Sequence, residues 1–262
     1  MLNTPLPLTY RKPMLGAQLH RDHPLARGLV LASPFTGGSG QPHDLARGRT
    51  TTYGGSTAWN AGRKFAGSAL RFTAITANLS YGASNGWLPL AATTVLIIHR
   101  KTDATNRVSG AFGFNVSTTG TDAFGAHIPF SDGIVYWDFG GTATNGGRIT
   151  ASGLTFGDDV WVFTHGRRGG EIWQNGIRRG TGTFTGARTS TTNVLYLNNH
   201  HGQGGDLADV AGFFIWDRQL GEGEVVNLSS NPFQMVGHRL WLPGPYIAPP
   251  LAIAPPVGAF VI

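Results

Sequence analysis

The dipeptide Asn175-Gly176, set between Glu171-Ile172-Trp173-Gln174 and the run from Ile177 to Phe184, constrains this chain more than any other feature. A two-residue type I′ turn needs positive φ at both central positions, and Asn-Gly meets that demand at low steric cost. Just before it, Val160-Trp161-Val162-Phe163-Thr164 is a β-branched and aromatic run, broken by the loop His165-Gly166-Arg167-Arg168-Gly169-Gly170. The whole stretch from Val160 to Gly186 thus predicts antiparallel strands joined by tight turns.

Composition agrees. With 39 glycines, 15 prolines and 13% charged residues, the chain is rich in turn formers and poor in the residues that favour helices. Hydrophobic residues make up 40% of the 262, enough for one large β domain with flanking arms. No apolar run reaches the roughly 18 residues of a membrane span, so no membrane partner is expected. Met1 to Pro7 shows no basic segment followed by an apolar one, and no signal peptide is expected. The absence of cysteine removes disulfides, thiolate metal sites and cysteine nucleophiles, and fits synthesis in a cytoplasm.

Three regions follow. Residues 1–24 carry Pro5, Pro7, Pro13 and Pro24 and are expected to form an extended N-terminal arm. In residues 25–230, short apolar runs alternate with Gly, Ser, Thr and Asn clusters, predicting an all-β sandwich of two antiparallel sheets. Expected strands are Gly28–Ala32, Ala69–Phe72, Thr94–His99, Ala111–Val116, Ile134–Phe139, Val194–Leu197 and Val210–Trp216. The consecutive apolar residues Val95-Leu96-Ile97-Ile98 predict a strand covered on both faces. One helix is expected after Gly221, with Glu224 at its third position forming half a capping box. Residues 231–262 form a Pro-rich apolar tail without a charge after Arg239, expected to dock on a neighbour or on its own domain through Leu251, Ile253, Val257, Phe260 and Ile262.

The net charge of +6 comes mainly from arginine. Arg167, Arg168, Arg178 and Arg179 are expected near one end of the hairpin, as a basic patch or as solvated charge on an edge strand. No dense basic segment or base-reading motif accompanies them, so nucleic acid is not expected as a partner.

Several segments resemble, in order, the LamG-like jelly roll, the concanavalin A-like lectin/glucanase sandwich. Leu25-Ala26-Arg27-Gly28-Leu29-Val30 with His43-Asp44-Leu45 is similar to its entry strand and following loop, and Ser68-Ala69-Leu70-Arg71-Phe72 to an early strand. Trp161-Val162-Phe163 resembles its Trp-containing strand, and Glu171 to Gly176 its aromatic-x-Asn-Gly hairpin. Leu207 to Leu220, followed by the Glu224 helix, resembles its closing strand and terminal helix. The resemblance implies a jelly-roll sandwich but no single activity, because lectins, hydrolases and structural modules share this fold.

Catalysis is not expected. A retaining glycosidase needs two carboxyl groups roughly 5 Å apart. The three glutamates, Glu171, Glu222 and Glu224, offer no such pair along one strand, and Asp158-Asp159 would face opposite ways in a strand, though they would converge in a turn. No metal site is assigned, although calcium is possible through Asp132, Asp138, Asp206 and Asp209 with Asn198 and Asn199. Asp209 is expected to bond to backbone at a turn. Adjacent histidines seldom chelate one ion from an extended chain, so His200-His201 with Asp206 reads as polar loop.

A glycan site needs an exposed aromatic platform with amide or imidazole groups nearby. Trp137, Asn199, His200 and His201 are the candidates, while Trp161, Trp173 and Trp216 are assigned to the core. The step Asn231-Pro232-Phe233-Gln234 after the helix, together with the arms, resembles virion proteins of tailed bacteriophages. That resemblance implies a non-enzymatic structural protein, decorating a capsid or associated with a tail. It also implies a homo-oligomer made in the host cytoplasm and located in the virion with other virion proteins. The alternative is a glycan-binding adhesin or receptor-binding module, with a polysaccharide-degrading enzyme a distant third.

Overall fold

The computed structural model describes residues 16–61, 67–114, 122–143, 146–185, 188–189, 192–200 and 202–237. The hairpin expected around Asn175-Gly176 forms. β12 (Asp159–Gly166), β13 (Gly169–Gln174) and β14 (Ile177–Gly182) run antiparallel, with Asn175 at φ 52° and Gly176 at φ 79° in the turn between the last two.

These strands form one end of an eight-stranded sheet. Its order continues through β7 (Thr93–Lys101) and β16 (Ala208–Trp216) to β5 (Ser68–Phe72) and β4 (Thr57–Ala61). β2 (Leu29–Ser33) shares the edge of β16 with β5, pairing with its second half while β5 pairs with the first. Opposite lies a seven-stranded sheet. It runs β11 (Arg148–Ala151), β10 (Val135–Phe139), β9 (Phe124–His127), β8 (Phe112–Phe114), β15 (Val194–Leu197), β6 (Asn78–Ala83) and β3 (Thr52–Gly54). Every pairing in both sheets is antiparallel, which makes the fold the expected two-layer sandwich.

The core between the sheets is aromatic. Phe112 packs against Phe124, Trp137, Phe163 and Phe213 at ring separations of 5.4–6.0 Å. A second core lies on the far face of the eight-stranded sheet. In β7, Val95 and Ile97 face the first core while Leu96 and Ile98 face the second. Strand alternation therefore explains the unbroken apolar run: both faces are covered.

The cover on the far face comes from α1 (Glu222–Ser230), which buries Val225 and Leu228, and from both ends of the described chain. Gly221 N–H donates to Glu224 Oε2 at 2.8 Å, the half of a capping box that a glycine permits. Beyond α1 the Asn231–Gln234 step buries Phe233 and turns the chain, so that β17 (Val236–Gly237) pairs with β1 (Gln18–Leu19). Residues 16–24, assigned to the N-terminal arm, therefore lie on the sandwich, and the packed unit extends past residue 230 to Gly237. Residues 1–15 and the assembly-tail candidates Leu251, Ile253, Val257, Phe260 and Ile262 lie outside the described residues.

Candidate functional site at the open edge of the sandwich

β3 and β4 follow one another in sequence but belong to opposite sheets, each as its terminal strand. Across this open edge runs the loop from Pro34 to Arg49. Asp44 is the pin that holds it. Its buried carboxylate accepts from Ala32 N–H and Ala46 N–H, both at 2.9 Å, and from Arg49 at 2.8 Å. Arg49 also donates to Val30 O and lies over the Trp87 ring at 3.9 Å. The loop tip is held by two aromatic donors on one acceptor: Tyr53 Oη at 2.6 Å and Trp59 Nε1 at 3.0 Å both donate to Gly40 O. Burial chiefly pushes the Tyr53 phenol above its ordinary value, so it stays protonated as that donor.

Between loop and strand lies a cleft of about 380 Å³ lined by Phe35, Gly37, Ser39, Gln41, His43 and Trp59, among others. Phe35 is its buried floor, edge-on to Trp59 with ring centroids 6.5 Å apart. Trp59 is half-buried, while Ser39, Gln41 and His43 are exposed at the rim. A Cβ at Gly37 would sit 2.9 Å from Ser39 O, so glycine is what permits this tight loop beside the Trp59 ring. Phe35 holds φ 48°, a conformation that bulky side chains seldom adopt and that recurs at ligand clamps. An apolar wall with a few convergent polar groups on a rigid frame is the usual form of a small-ligand site.

The residues chosen from sequence for a glycan site fall elsewhere. Trp137 is fully buried and corrects the expectation of an exposed platform: β10 turns Val135, Trp137 and Phe139 inward, and the Trp137 indole N–H donates to Thr164 O at 3.1 Å. Asn199 and His200 are buried as well, so neither presents a surface group; His201 lies outside the described residues. Trp161, Trp173 and Trp216 occupy the two cores as assigned.

The arginines do not gather at one end of the hairpin. Arg167 and Arg168 occupy the β12–β13 turn, whereas Arg178 and Arg179 follow the Asn-Gly turn at the other end of β13. Arg168 donates to Leu220 O at 2.6 Å, and Arg167 and Arg168 share a shallow cleft with Arg218. Arg178 faces Glu171 at 3.3 Å and Glu222 at 3.9 Å, which offsets its charge.

The carboxylates considered for calcium or catalysis are engaged with the protein. Asp209 is not a backbone cap: Arg71 and Arg100 both pair with it, and although burial pushes its carboxyl up, their hydrogen bonds outweigh that and hold it below the ordinary range. Burial pushes Asp206 up to about 6 against the opposing pull of Lys101, 3.8 Å away. Asp132 accepts from Tyr136 Oη and Ile134 N–H, and Asp138 from Arg148. Glu171 accepts from Trp173 Nε1 at 3.1 Å and Thr164 Oγ1 at 3.2 Å. Asp159 accepts from Gly157 N–H and Asn175 Nδ2, while its neighbour Asp158 faces Arg100 at 3.4 Å.

No known protein family and no curated protein matches the sequence. Solved structures do match in shape. Domain 4 of a GH43 extracellular arabinanase from Geobacillus stearothermophilus, in complex with arabinotriose, aligns with a TM-score of 0.61 at 14% identity over 77% of this chain and 98% of that one. The likeness is one of fold. The binding domain of Paraclostridial Mosquitocidal Protein 1 gives a TM-score of 0.59 at 15% identity over 80% of this chain. The receptor binding domain of botulinum neurotoxin D gives 0.58 at 10% over 79%. This chain spans about half of each of those two, 53% in both cases.

Proposed function

We propose that this chain is a non-enzymatic binding module whose ligand is a glycan, held in the cleft at the open edge of the sandwich. The observation that carries the reading is the half-buried Trp59 face beside the exposed Ser39, Gln41 and His43 on a pinned loop. A pyranose presents an apolar C–H face ringed by hydroxyls, and an aromatic face with hydrogen-bonding groups at its edge complements both. The neighbours in shape favour binding over a purely structural role, since one was solved with bound arabinotriose and two are binding domains, of a mosquitocidal protein and of a neurotoxin. The engagement of the described carboxylates by arginines, amides and backbone N–H groups supports a reading without catalysis.

The experiment is a glycan screen with the full chain, followed by titration of any hit against three variants. Trp59→Phe, which keeps a ring, and Gln41→Ala, on the exposed rim, are each expected to weaken binding about tenfold, the effect of roughly 1.4 kcal/mol. Trp137→Ala is expected to destabilise the fold by about 3–5 kcal/mol, as large core truncations do. Unchanged affinity in both cleft variants would remove the cleft from the reading. The virion role rests on the tail and on sequence resemblance, and truncation of the tail tests it separately.

A further inference from the structure

The outer face of the seven-stranded sheet carries a buried constellation that glycan binding does not use. In β9 and β10 the residues facing away from the core are Gly125, His127, Tyr136 and Asp138, and the loop after β15 lays His200 across them. This placement is built into the strands. Gly113 and Gly125 are cross-strand partners, and a Cβ on either would come within 2.5 Å of His200 Nδ1. At Gly110 a Cβ would lie 2.1 Å from His200 Cβ. Three glycines thus form the slot in which the imidazole rests. His127, Asp138 and His200 are each no more than 2% exposed.

We propose that His127, Asp138 and His200 bind a divalent transition metal of the zinc class. The ligand atoms of the three residues lie within 4.8 Å of one another. His200 Nε2 is 3.3 Å from Asp138 Oδ2, and His127 Nε2 is 3.9 Å from the same oxygen. Metal–ligand bonds of about 2.0–2.2 Å in tetrahedral geometry separate ligand atoms by roughly 3.3–3.6 Å, close to the two imidazole–carboxylate separations here.

The far side of His127 fixes which nitrogen is available. Its Nδ1 lies 2.5 Å from Ser109 O, a carbonyl that only accepts, so Nδ1 carries the proton. In the neutral ring the lone pair is then on Nε2, directed at the carboxylate. A metal-bound histidine is oriented in this way, with its second nitrogen donating to a backbone carbonyl. Arg148 completes the surroundings, donating to both Asp138 oxygens at 2.6 Å and so holding the carboxylate ionised beside the two imidazoles. Three protein donors fill all but one position of a tetrahedral site. The site differs from the His200-His201 pair of the sequence because the second imidazole comes from β9, 73 positions earlier in the chain.

The test uses the untagged full chain, stripped with chelator and titrated with zinc and with cobalt. Expected results are one zinc per chain by elemental analysis, the visible absorption of four-coordinate cobalt, and a Tm that rises with free zinc, as binding to the native state requires. His127→Asn keeps an N–H near the position of Nδ1 and deletes Nε2. It is expected to fold with the same circular dichroism spectrum and to weaken zinc at least about 100-fold. His200→Ala, which only vacates the slot, is expected to weaken zinc equally. Folded wild-type protein that takes up no stoichiometric zinc or cobalt between pH 6 and 8 would overturn the proposal. Undiminished binding in both variants would overturn it too, because the ion would sit on other histidines.

Discussion

At the scale of single residues, what matters is which face of a strand a side chain takes. Trp137 and Asp138 are adjacent in β10, yet the first lies in the aromatic core and the second beside His200 on the opposite face. Burial also sets the proton chemistry. It lowers His99 to about 4 and His165 to about 4 from an ordinary 6.5, so both fold as neutral rings. A histidine whose folded pKa is depressed contributes stability above the unfolded value, which is lost as pH falls through the folded one. Asp206 works in the other direction, because its carboxyl, raised from 3.8 to about 6, favours the folded state as acid is added. Two histidines oppose one aspartate, so stability is expected to fall between pH 6.5 and 4. Denaturant midpoints measured across that window should show the loss, and His99→Gln should flatten it; an unchanged slope in the variant would show that His99 does not titrate there.

At the scale of elements, the hairpin and the β7–β16 pair were legible in the sequence because their chemistry is local. Val194–Leu197 matches its expected span, and the expected Val210–Trp216 needs only two more residues at its start. Seven strands were missed: β3, β4, β6, β9 and β11 of the two large sheets, and the short β1–β17 pair. Thr52–Gly54 and Asn78–Ala83 are polar on one face and short of β-branched apolar residues, and Phe124–His127 spends two of its four positions on Gly and Ala. Their pairing comes from neighbours in space, which outweigh weak local preference. The Asn-Gly turn is the element whose strength is easiest to measure. A Cβ at Gly176 would meet Ser229 Cβ at 3.4 Å, ordinary contact, so the cost of substitution comes from its positive φ. Gly176→Ala is expected to lower stability by about 1–2 kcal/mol without altering the fold, as read by urea denaturation. A neutral result would mean that the turn relaxes to another type.

At the scale of the whole molecule, the eight-stranded sheet is covered on both faces, and the second cover is assembled from distant parts. Leu25, Leu220, Val225, Leu228, Phe233 and Met235 share that outer core, and the β1–β17 pair joins the two ends of the described chain. Among the described residues, both cores are built from positions up to Val236. A chain shortened near Leu242 is therefore expected to keep the Tm of the full chain within a few degrees. If residues 243–262 anchor the protein in a particle, light scattering and co-sedimentation with virions should show the shortened chain monomeric and unattached. Retained attachment would show that the tail is dispensable and remove the main support for the structural role.

The sequence by itself determined the fold class, the double cover of β7, the hairpin with its turn type and the helix start at Gly221. Each depends on residue chemistry within a few positions: side-chain period, φ preference or a nearby cap. It did not yield the geometry of the candidate sites. Trp59 carried no local mark that set it apart from the other tryptophans, though the Gly-rich loop from Gly37 to Gly40 was a visible signal of a close backbone approach. Only the tertiary structure brought that loop against Trp59, turned Trp137 inward, and placed His127, Asp138 and His200 around one point. The reason is physical: a strand shows alternate faces with period two, but which face meets the core, and which distant loop covers the other, depends on register and sheet order, and those are fixed by pairing across the whole chain.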